Sequence, residues 1–149
     1  MSGGATTLPR CSGVIRRGGP GDLAQVALIQ AASPEAAQWD AADYLHYDFR
    51  VSVCGIRVAG FMVSRALAEG ETELLNLAVA PEFRRQGVAR KLVGSLLDES
   101  PGVVYLEVRE SNLAARRFYN RMGFQEVSSR IGYYQAPPEA AIVMKFHSC

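Results

Sequence analysis

The chain has 149 residues, about one domain's worth of sequence. Apolar residues make up 48% and charged residues 21%, a balance that excludes disorder and supports a packed core. Sixteen basic against fifteen acidic side chains leave a net charge of +1, which removes the whole-chain argument for a nucleic-acid binder, and no apolar run approaches the roughly 20 residues of a membrane span.

Residues 1–12 read as a loose tail, small and polar, and a single domain is expected over 13–149. Val14-Ile15 fits a short first strand. Gly18-Gly19-Pro20-Gly21 breaks the chain, and Asp22 opens an apolar helical pattern through Leu23, Val26, Ala27 and Ile29. Ser33-Pro34-Glu35 predicts a second short helix running toward Ala42. From Tyr47 the period changes to two: Phe49, Val51 and Val53 alternate with Arg50 and Ser52, and a turn at Gly55-Ile56 leads to a second strand over 58–63. Leu74 to Val79 is nearly all apolar, the pattern of a strand covered on both faces. Val88, Leu92, Val93, Leu96 and Leu97 form the stripe of a helix beginning near Gly87. A strand over 103–109 and a helix over 113–122 follow, the latter capped by Gly123. Two closing strands, 124–130 and 141–146, complete the order βα(α)βββαβαββ. This is an α/β fold of the α+β type: a mixed, mostly antiparallel sheet of six to seven strands with helices on both faces.

Fourteen of the sixteen basic residues are Arg, clustered at 84–90 and 109–121, while Glu35, Asp40, Asp43 and Asp48 share a stretch without Arg or Lys. A neutral total can therefore hide a basic pocket and an acidic one. Cys11, Cys54 and Cys149 are odd in number and lack metal-ligand spacing, which fits free thiols in a reducing cytosol better than a disulfide framework. His46 and His147 are isolated, and two such residues do not make a metal site.

Arg84-Arg85-Gln86-Gly87-Val88-Ala89-Arg90 lies between a strand and a helix start, where unpaired N–H groups and the helix dipole favour an anion. Taken alone, such a turn is most often only a solvated turn. In the strand 103–109, Val104, Leu106 and Val108 face one way, and Tyr105, Glu107 and Arg109 the other. A carboxylate on an interior strand needs a partner or a water-filled cleft. An ion pair with a nearby arginine and a catalytic role are equally compatible with the spacing of Glu107. Tyr119 has the pattern of a packed helical aromatic.

Context adds a family. Leu75-Asn76-Leu77-Ala78-Val79-Ala80-Pro81 followed by the 84–90 turn resembles the acetyl-CoA motif of the GNAT N-acetyltransferases, with Arg84, Gly87 and Ala89 on its core positions. Tyr105 to Asn112 and Phe118 to Phe124 continue the likeness, which is dense over 72–134 and is closer to the RimI branch, the ribosomal-protein-alanine N-acetyltransferases. The resemblance implies that the backbone of Leu77, Ala78 and Val79 meets the acetyl and pantetheine arm, with an N–H near Val79 as oxyanion donor. It implies that Arg85, Gln86, Gly87, Val88, Ala89 and Arg90 cradle the pyrophosphate and that Asn112 contacts the cofactor. It assigns Glu107 as general base and Tyr119 as general acid, and it sets an acceptor peptide between the region of Trp39 and that of Tyr133-Tyr134, before the last strand. Ala89 replaces the more usual glycine, the helix after the turn is about one turn short, and the loop after Tyr134 is brief.

The implied activity is transfer of acetyl from acetyl-CoA to a protein N-terminal α-amine, the N-terminal alanine of a small-subunit ribosomal protein, with no metal. The alternatives are a GNAT acting on a small-molecule amine or a lysine side chain, and a non-catalytic acyl-CoA-binding module. A cytoplasmic protein, monomer or weak dimer, with neither membrane nor nucleic-acid partner, is expected.

Overall fold

The computed structural model describes residues 11, 13–135 and 138–148. Seven strands and three α-helices follow in chain order: β1 (Val14–Arg17), α1 (Leu23–Ala31), β2 (Asp48–Cys54), β3 (Arg57–Ala68), β4 (Glu71–Val79), α2 (Val88–Glu99), β5 (Gly102–Arg109), α3 (Leu113–Arg121), β6 (Gln125–Gln135) and β7 (Pro138–Ser148). The strands form one sheet in the order β1-β2-β3-β4-β5-β7-β6. β4 and β5 run parallel from Glu71↔Val103 to Glu73↔Tyr105, whereas β1–β2, β5–β7 and β6–β7 are antiparallel. The expected mixed, mostly antiparallel sheet is the one observed. The expected tail lies outside the described residues apart from Cys11.

Two compact units interleave along the chain. The first comprises residues up to Val63 together with Asn76–Leu92, the second Ser64–Leu75 together with the chain from Val93 onward. In the first, Val26, Tyr44, Phe49, Val51, Val58, Phe61 and Phe83 are buried: alternation along β2 turns Phe49 and Val51 to one face, whereas β3 is buried on both faces from Val58 to Ser64. Tyr44 lies at its centre, with ring centroids 5.9 Å from Phe49 and 5.5 Å from Phe61. Asp22 fixes the entry to α1: its carboxylate accepts from Arg16 Nη1 and Nη2 at 2.8 and 2.9 Å and from the Gly19 N–H at 2.8 Å.

In the second unit, Val104 and Leu106 of β5, Tyr119 of α3, Phe124, and Ala141 and Met144 of β7 are buried. The α3 helix starts on Asn112, whose Oδ1 accepts from the Ala115 N–H at 3.1 Å, and stops at Gly123, where φ is +106°. There the Phe124 N–H reaches back to the Tyr119 carbonyl at 2.9 Å. That is the glycine-terminated helix end expected from the sequence.

Four expectations change. The segment after Ser33 does not become a helix before Ala42; a 3-10 helix forms instead over Ala41–His46. Side chains take the backbone's hydrogen bonds there: Gln38 Nε2 donates to the carbonyls of Gln30, Ser33 and Ala36, each at 3.1 Å, and Asp40 caps the 3-10 turn by accepting from the Ala42 N–H. The β4 strand is not covered equally on both faces. Leu74, Asn76 and Ala78 are buried, but Leu75, Leu77 and Val79 are half-buried. The last two strands are longer than expected, so Tyr133 and Tyr134 belong to β6 rather than to a loop before the last strand. Finally, Cys11 and Cys54 form a disulfide with Cα atoms 5.7 Å apart. The antiparallel register that sets Val14 opposite Val53 brings the two together, which corrects the expectation of free thiols at these positions. Cys149 lies outside the described residues.

Candidate active site

The basic turn forms as its sequence suggests. After β4, Pro81–Phe83 makes a 3-10 turn whose Phe83 is buried, and α2 begins at Val88. Arg85 and Gly87 have φ of +63° and +80°, so the backbone between them curls its N–H groups toward one side before the helix starts. Such a left-handed curl running into a helix N-terminus is an anion cradle. A Cβ built on Gly87 meets nothing within 4 Å, so the glycine serves conformation and ligand approach rather than internal packing. Gln86 Oε1 is buried without a hydrogen-bond partner among the described residues, while its Nε2 donates to the Glu82 carbonyl at 3.4 Å. Arg85 and Arg90 are exposed. The cradle therefore fits a phosphate group on three counts: open space, curled backbone and basic rim.

Arg84 does something else. Its Nη2 donates to the Ala32 carbonyl and Ser33 Oγ, each at 3.2 Å, and its Nε to the Val79 carbonyl at 3.3 Å. It ties the turn to the end of α1. Beneath β4, Gly60 packs so closely that an added Cβ would stand 2.8 Å from Val88 Cγ1 and 3.0 Å from the Ala78 carbonyl oxygen. The helix start thus rests on a glycine of β3. Buried Asn76 completes the support: Nδ2 donates to Tyr44 Oη at 2.8 Å and to the Ala37 carbonyl at 2.9 Å, and Oδ1 accepts from the Leu77 N–H at 3.0 Å. Tyr44 in turn donates to Gln30 Oε1, and its burial raises its phenol pKa.

Trp39 is half-buried, with its ring 5.9 Å from Tyr44 and 6.0 Å from Tyr47, and its carbonyl accepts from Gln30 Nε2 at 2.6 Å. The acidic stretch is partly consumed in structure. Asp40 is the cap described above, and Asp48 pairs with Arg50 at 2.9 Å. Two of the four acidic residues of that stretch therefore serve the chain itself.

In the second unit, β5 alternates as its sequence predicts: Val104 and Leu106 are buried, Tyr105 and Glu107 half-buried on the other face. Glu107 Oε1 accepts from Arg130 Nη1 at 2.6 Å, while Oε2 is buried with no hydrogen-bond partner among the described residues. The Arg130 guanidinium lies over the Tyr133 ring at 4.3 Å, and that of Arg109 over the Tyr134 ring at 4.2 Å. The two tyrosine rings meet edge to face at 5.1 Å. The negative charge of Glu107 is the main reason the Tyr133 phenol is raised above its usual pKa; burial is the main reason for Tyr134.

Tyr119 is buried on α3 against Phe118 at 5.1 Å and Phe124 at 5.4 Å, both edge-on. Burial pushes its phenol far up, because the phenolate would lose its hydration. It remains a neutral O–H donor across the ordinary pH range. The Arg cluster at 109–121 is also divided: Arg109 pairs with Glu139 at 3.4 Å and Arg116 with Glu126 at 2.7 Å. Neither the Arg130 contact nor the Asn76 support was assigned from the sequence, because both depend on partners distant along the chain.

Residues 27–124 match the model of the acetyltransferase (GNAT) family, and the chain belongs to that family. Among its relatives is the ribosomal protein bS18-alanine N-acetyltransferase of Salmonella typhimurium, 42% identical over 94 residues, an alignment covering 59% of this chain and 63% of that protein. The chain thus spans less than two thirds of the length of the curated relatives it matches first. In structure it is similar to the ribosomal-protein-S18-alanine N-acetyltransferase of Escherichia coli, with a TM-score of 0.77 and 28% identity over 91% of this chain and 94% of that one. It is also similar to Ard1 of Thermoplasma volcanium, with a TM-score of 0.80 and 30% identity over 90% and 96% of the two chains. Among the described residues no helix is long and apolar enough to cross a membrane.

Proposed function

We propose that this chain is an acetyl-CoA-dependent N-terminal acetyltransferase whose acceptor is the N-terminal alanine of a small-subunit ribosomal protein. One observation carries the reading: Glu107, on an interior strand, keeps one carboxylate oxygen buried and unpartnered among the described residues. Buried polar atoms are rarely left without a partner, and of the two such atoms among the described residues, Gln86 Oε1 and Glu107 Oε2, only the carboxylate oxygen can take up a proton, so it is suited to an incoming N–H. The named activity of the 42% identical relative supports the choice of acceptor.

Acetyl-CoA supplies an acetyl group already activated as a thioester, so the chain's residues need only bind, orient and move protons. Arg85, Gln86, Gly87, Val88, Ala89 and Arg90 hold the pyrophosphate through backbone N–H groups and guanidinium charge. Leu77, Ala78 and Val79 carry the acyl and pantetheine arm along the half-buried row of β4, with a backbone N–H near Val79 meeting the carbonyl oxygen as charge develops. Asn112, its Oδ1 engaged in capping, offers Nδ2 to the cofactor. Glu107 takes a proton from the acceptor ammonium. The freed nitrogen lone pair forms the C–N bond while the C–S bond breaks, and Tyr119 gives its hydroxyl proton to sulfur. Glu107 releases the first proton to solvent, takes the second from the nitrogen as the amide forms and releases it likewise, and Tyr119 is reprotonated from solvent. Trp39, Tyr133 and Tyr134 line the acceptor side, and the enzyme works in the cytoplasm as a monomer or weak dimer.

An α-amine suits a single carboxylate base. Its pKa of about 7.7–8.0 against about 10.4 for lysine makes deprotonation of the ε-amine harder by roughly 3.4 kcal/mol. The test compares peptides beginning with alanine, N-terminally blocked peptides carrying one lysine, and polyamines, each with acetyl-CoA and purified protein. Faster transfer to the free α-amine is expected. Equal or faster transfer to the blocked lysine peptide or to a polyamine would overturn the acceptor assignment, and no transfer to any amine would favour a non-catalytic acyl-CoA-binding module.

A further inference from the structure

The β6 strand contains an irregularity at the place where it approaches Glu107. Arg130 is opposite Ala141 and Tyr134 opposite Glu139, so four steps on β6 span two on β7. In a regular strand, residues three apart point to opposite faces. Arg130 and Tyr133 would then have no contact. The bulge, with Gly132 at φ +68°, turns the strand so that the guanidinium lies 4.3 Å over the Tyr133 ring. Bulges re-aim side chains, and this one aims Arg130 along the ring toward Glu107.

The result is asymmetric at the carboxylate. Arg130 is 55% exposed and holds Oε1 at 2.6 Å; Glu107 is only 17% exposed, and Oε2 is the buried atom without a partner among the described residues. Glu73 also acts on Arg130 through its field, but the carboxylate in hydrogen-bond contact with Arg130 is Glu107. Glu73 of β4 is held by Arg65 of β3 at 2.8 Å, and Arg109 of β5 is shared between Glu139 and the Tyr134 ring.

Building on the reading of Glu107 as base, we propose that Arg130, held by stacking on Tyr133, is a positioning residue that occupies Oε1 and so makes Oε2 the oxygen that receives the acceptor's proton. An unrestrained carboxylate would rotate about its terminal bond and exchange the two oxygens. An ion pair at one of them removes that freedom and compensates the charge without filling the other. Tyr133 then acts through Arg130 as well as at the acceptor side. One N–H···O bond from a cation over the Tyr133 ring is what the arrangement requires; a Lys ammonium supplies the charge, the donor and a cation–π contact though not the planar stack, whereas Gln supplies no charge.

The experiment measures kcat, the KM of an alanine-initiated peptide and the acetyl-CoA dissociation constant by calorimetry. The variants are Arg130→Gln and Arg130→Lys, each alone and combined with Glu107→Gln, all checked by thermal unfolding. Arg130→Gln should lower kcat by about tenfold through lost orientation, while acetyl-CoA affinity stays within about twofold of the parent and Arg130→Lys keeps kcat within about threefold. On the Glu107→Gln background, Arg130→Gln should cost nothing further, since there is no base left to position. Tyr133→Ala, which removes the ring under the guanidinium, should lower kcat as Arg130→Gln does. The proposal is overturned if Arg130→Gln leaves kcat intact, if Lys and Gln lose equally, or if only the peptide KM rises, which would make Arg130 an acceptor contact. Should Glu107→Gln alone turn over at the parent rate, the base assignment itself fails. That result is distinct from an impaired Glu107→Gln with an indifferent Arg130.

Discussion

Replacing Gly87 by Ala separates the cost of backbone strain from the cost of blocking a ligand. At φ +80° an L-residue is disfavoured by roughly 1–2 kcal/mol, and the lower entropy of the unfolded alanine chain offsets about 0.4–1 kcal/mol of this. The new Cβ collides with nothing, since no atom lies within 4 Å of it. The net destabilisation is therefore about 1 kcal/mol, a fall in Tm of roughly 2–5 °C for a chain of this size. Binding suffers more. A methyl group in the open mouth of the cradle holds a phosphate away from the N–H groups, and each charge-assisted hydrogen bond lost is worth about 1.5–3 kcal/mol, or roughly 10- to 100-fold in affinity. Gly87→Asn is the control for strain, because Asn tolerates the left-handed region. It should recover most of the stability while leaving acetyl-CoA binding weak. The measurements are thermal unfolding and calorimetric titration with acetyl-CoA on the same preparations. A folded Gly87→Ala protein that binds acetyl-CoA as tightly as the parent would refute the cradle; so would a Gly87→Asn protein whose stability and affinity recover together.

Three further outcomes follow from particular contacts. Tyr119→Phe should reduce kcat far more than it changes the KM for acetyl-CoA, because the hydroxyl acts as sulfur departs. Burial raises the Tyr119 pKa, so in the parent no loss of rate should come from ionisation of this phenol below about pH 10; near-parent turnover of the Phe variant would make Tyr119 purely structural. Asp22 has its pKa lowered, first by the hydrogen bonds from Arg16, so its contribution is present above the unfolded-state pKa of about 3.9 and is lost as pH falls through the lower folded value. Asp22→Asn should then destabilise by about 1–2 kcal/mol near pH 7 and converge with the parent under strongly acidic denaturing conditions, while a constant difference at all pH values would point to shape rather than charge. Reducing the Cys11–Cys54 bridge, with its sequence separation of 43, should lower stability by about 2–4 kcal/mol through release of the closed loop, read as a drop in Tm on adding reductant that is absent from Cys54→Ser.

How far the sequence carried depends on the range of the interaction. The alternation of Val104, Leu106 and Val108 with Tyr105, Glu107 and Arg109 is a property of successive residues, and β5 follows it. Asn112 capping α3 and Gly123 ending it are likewise local, because cap and helix lie within a few residues of each other. The anion cradle is local too: strand, turn and helix start are consecutive, and Gly87 adopts the positive φ that its place before α2 requires. Where a side chain could serve either its own segment or a distant one, the pattern was silent. Ser33-Pro34-Glu35 has the composition of a helix start, yet Gln38 and Asp40 claim the backbone groups a helix would have used. Arg84 stands on a core position of the motif, yet its side chain reaches Ser33, 51 positions away. Arg130 reaches Glu107 across 23 residues, and Asn76 reaches Tyr44 across 32. Each of these contacts depends on which distant segments are brought together, and that of Arg130 also on the β6 bulge; neither is set by the residues of any one segment. The sequence by itself determined most strands and helices, the segment 33–42 excepted, and the strand-turn-helix stretch in which the 84–90 turn lies. Tertiary structure alone decided which cysteines meet, which arginines are spent on the fold, and which oxygen of Glu107 stays free, because those outcomes require partners that only strand pairing brings within hydrogen-bond distance.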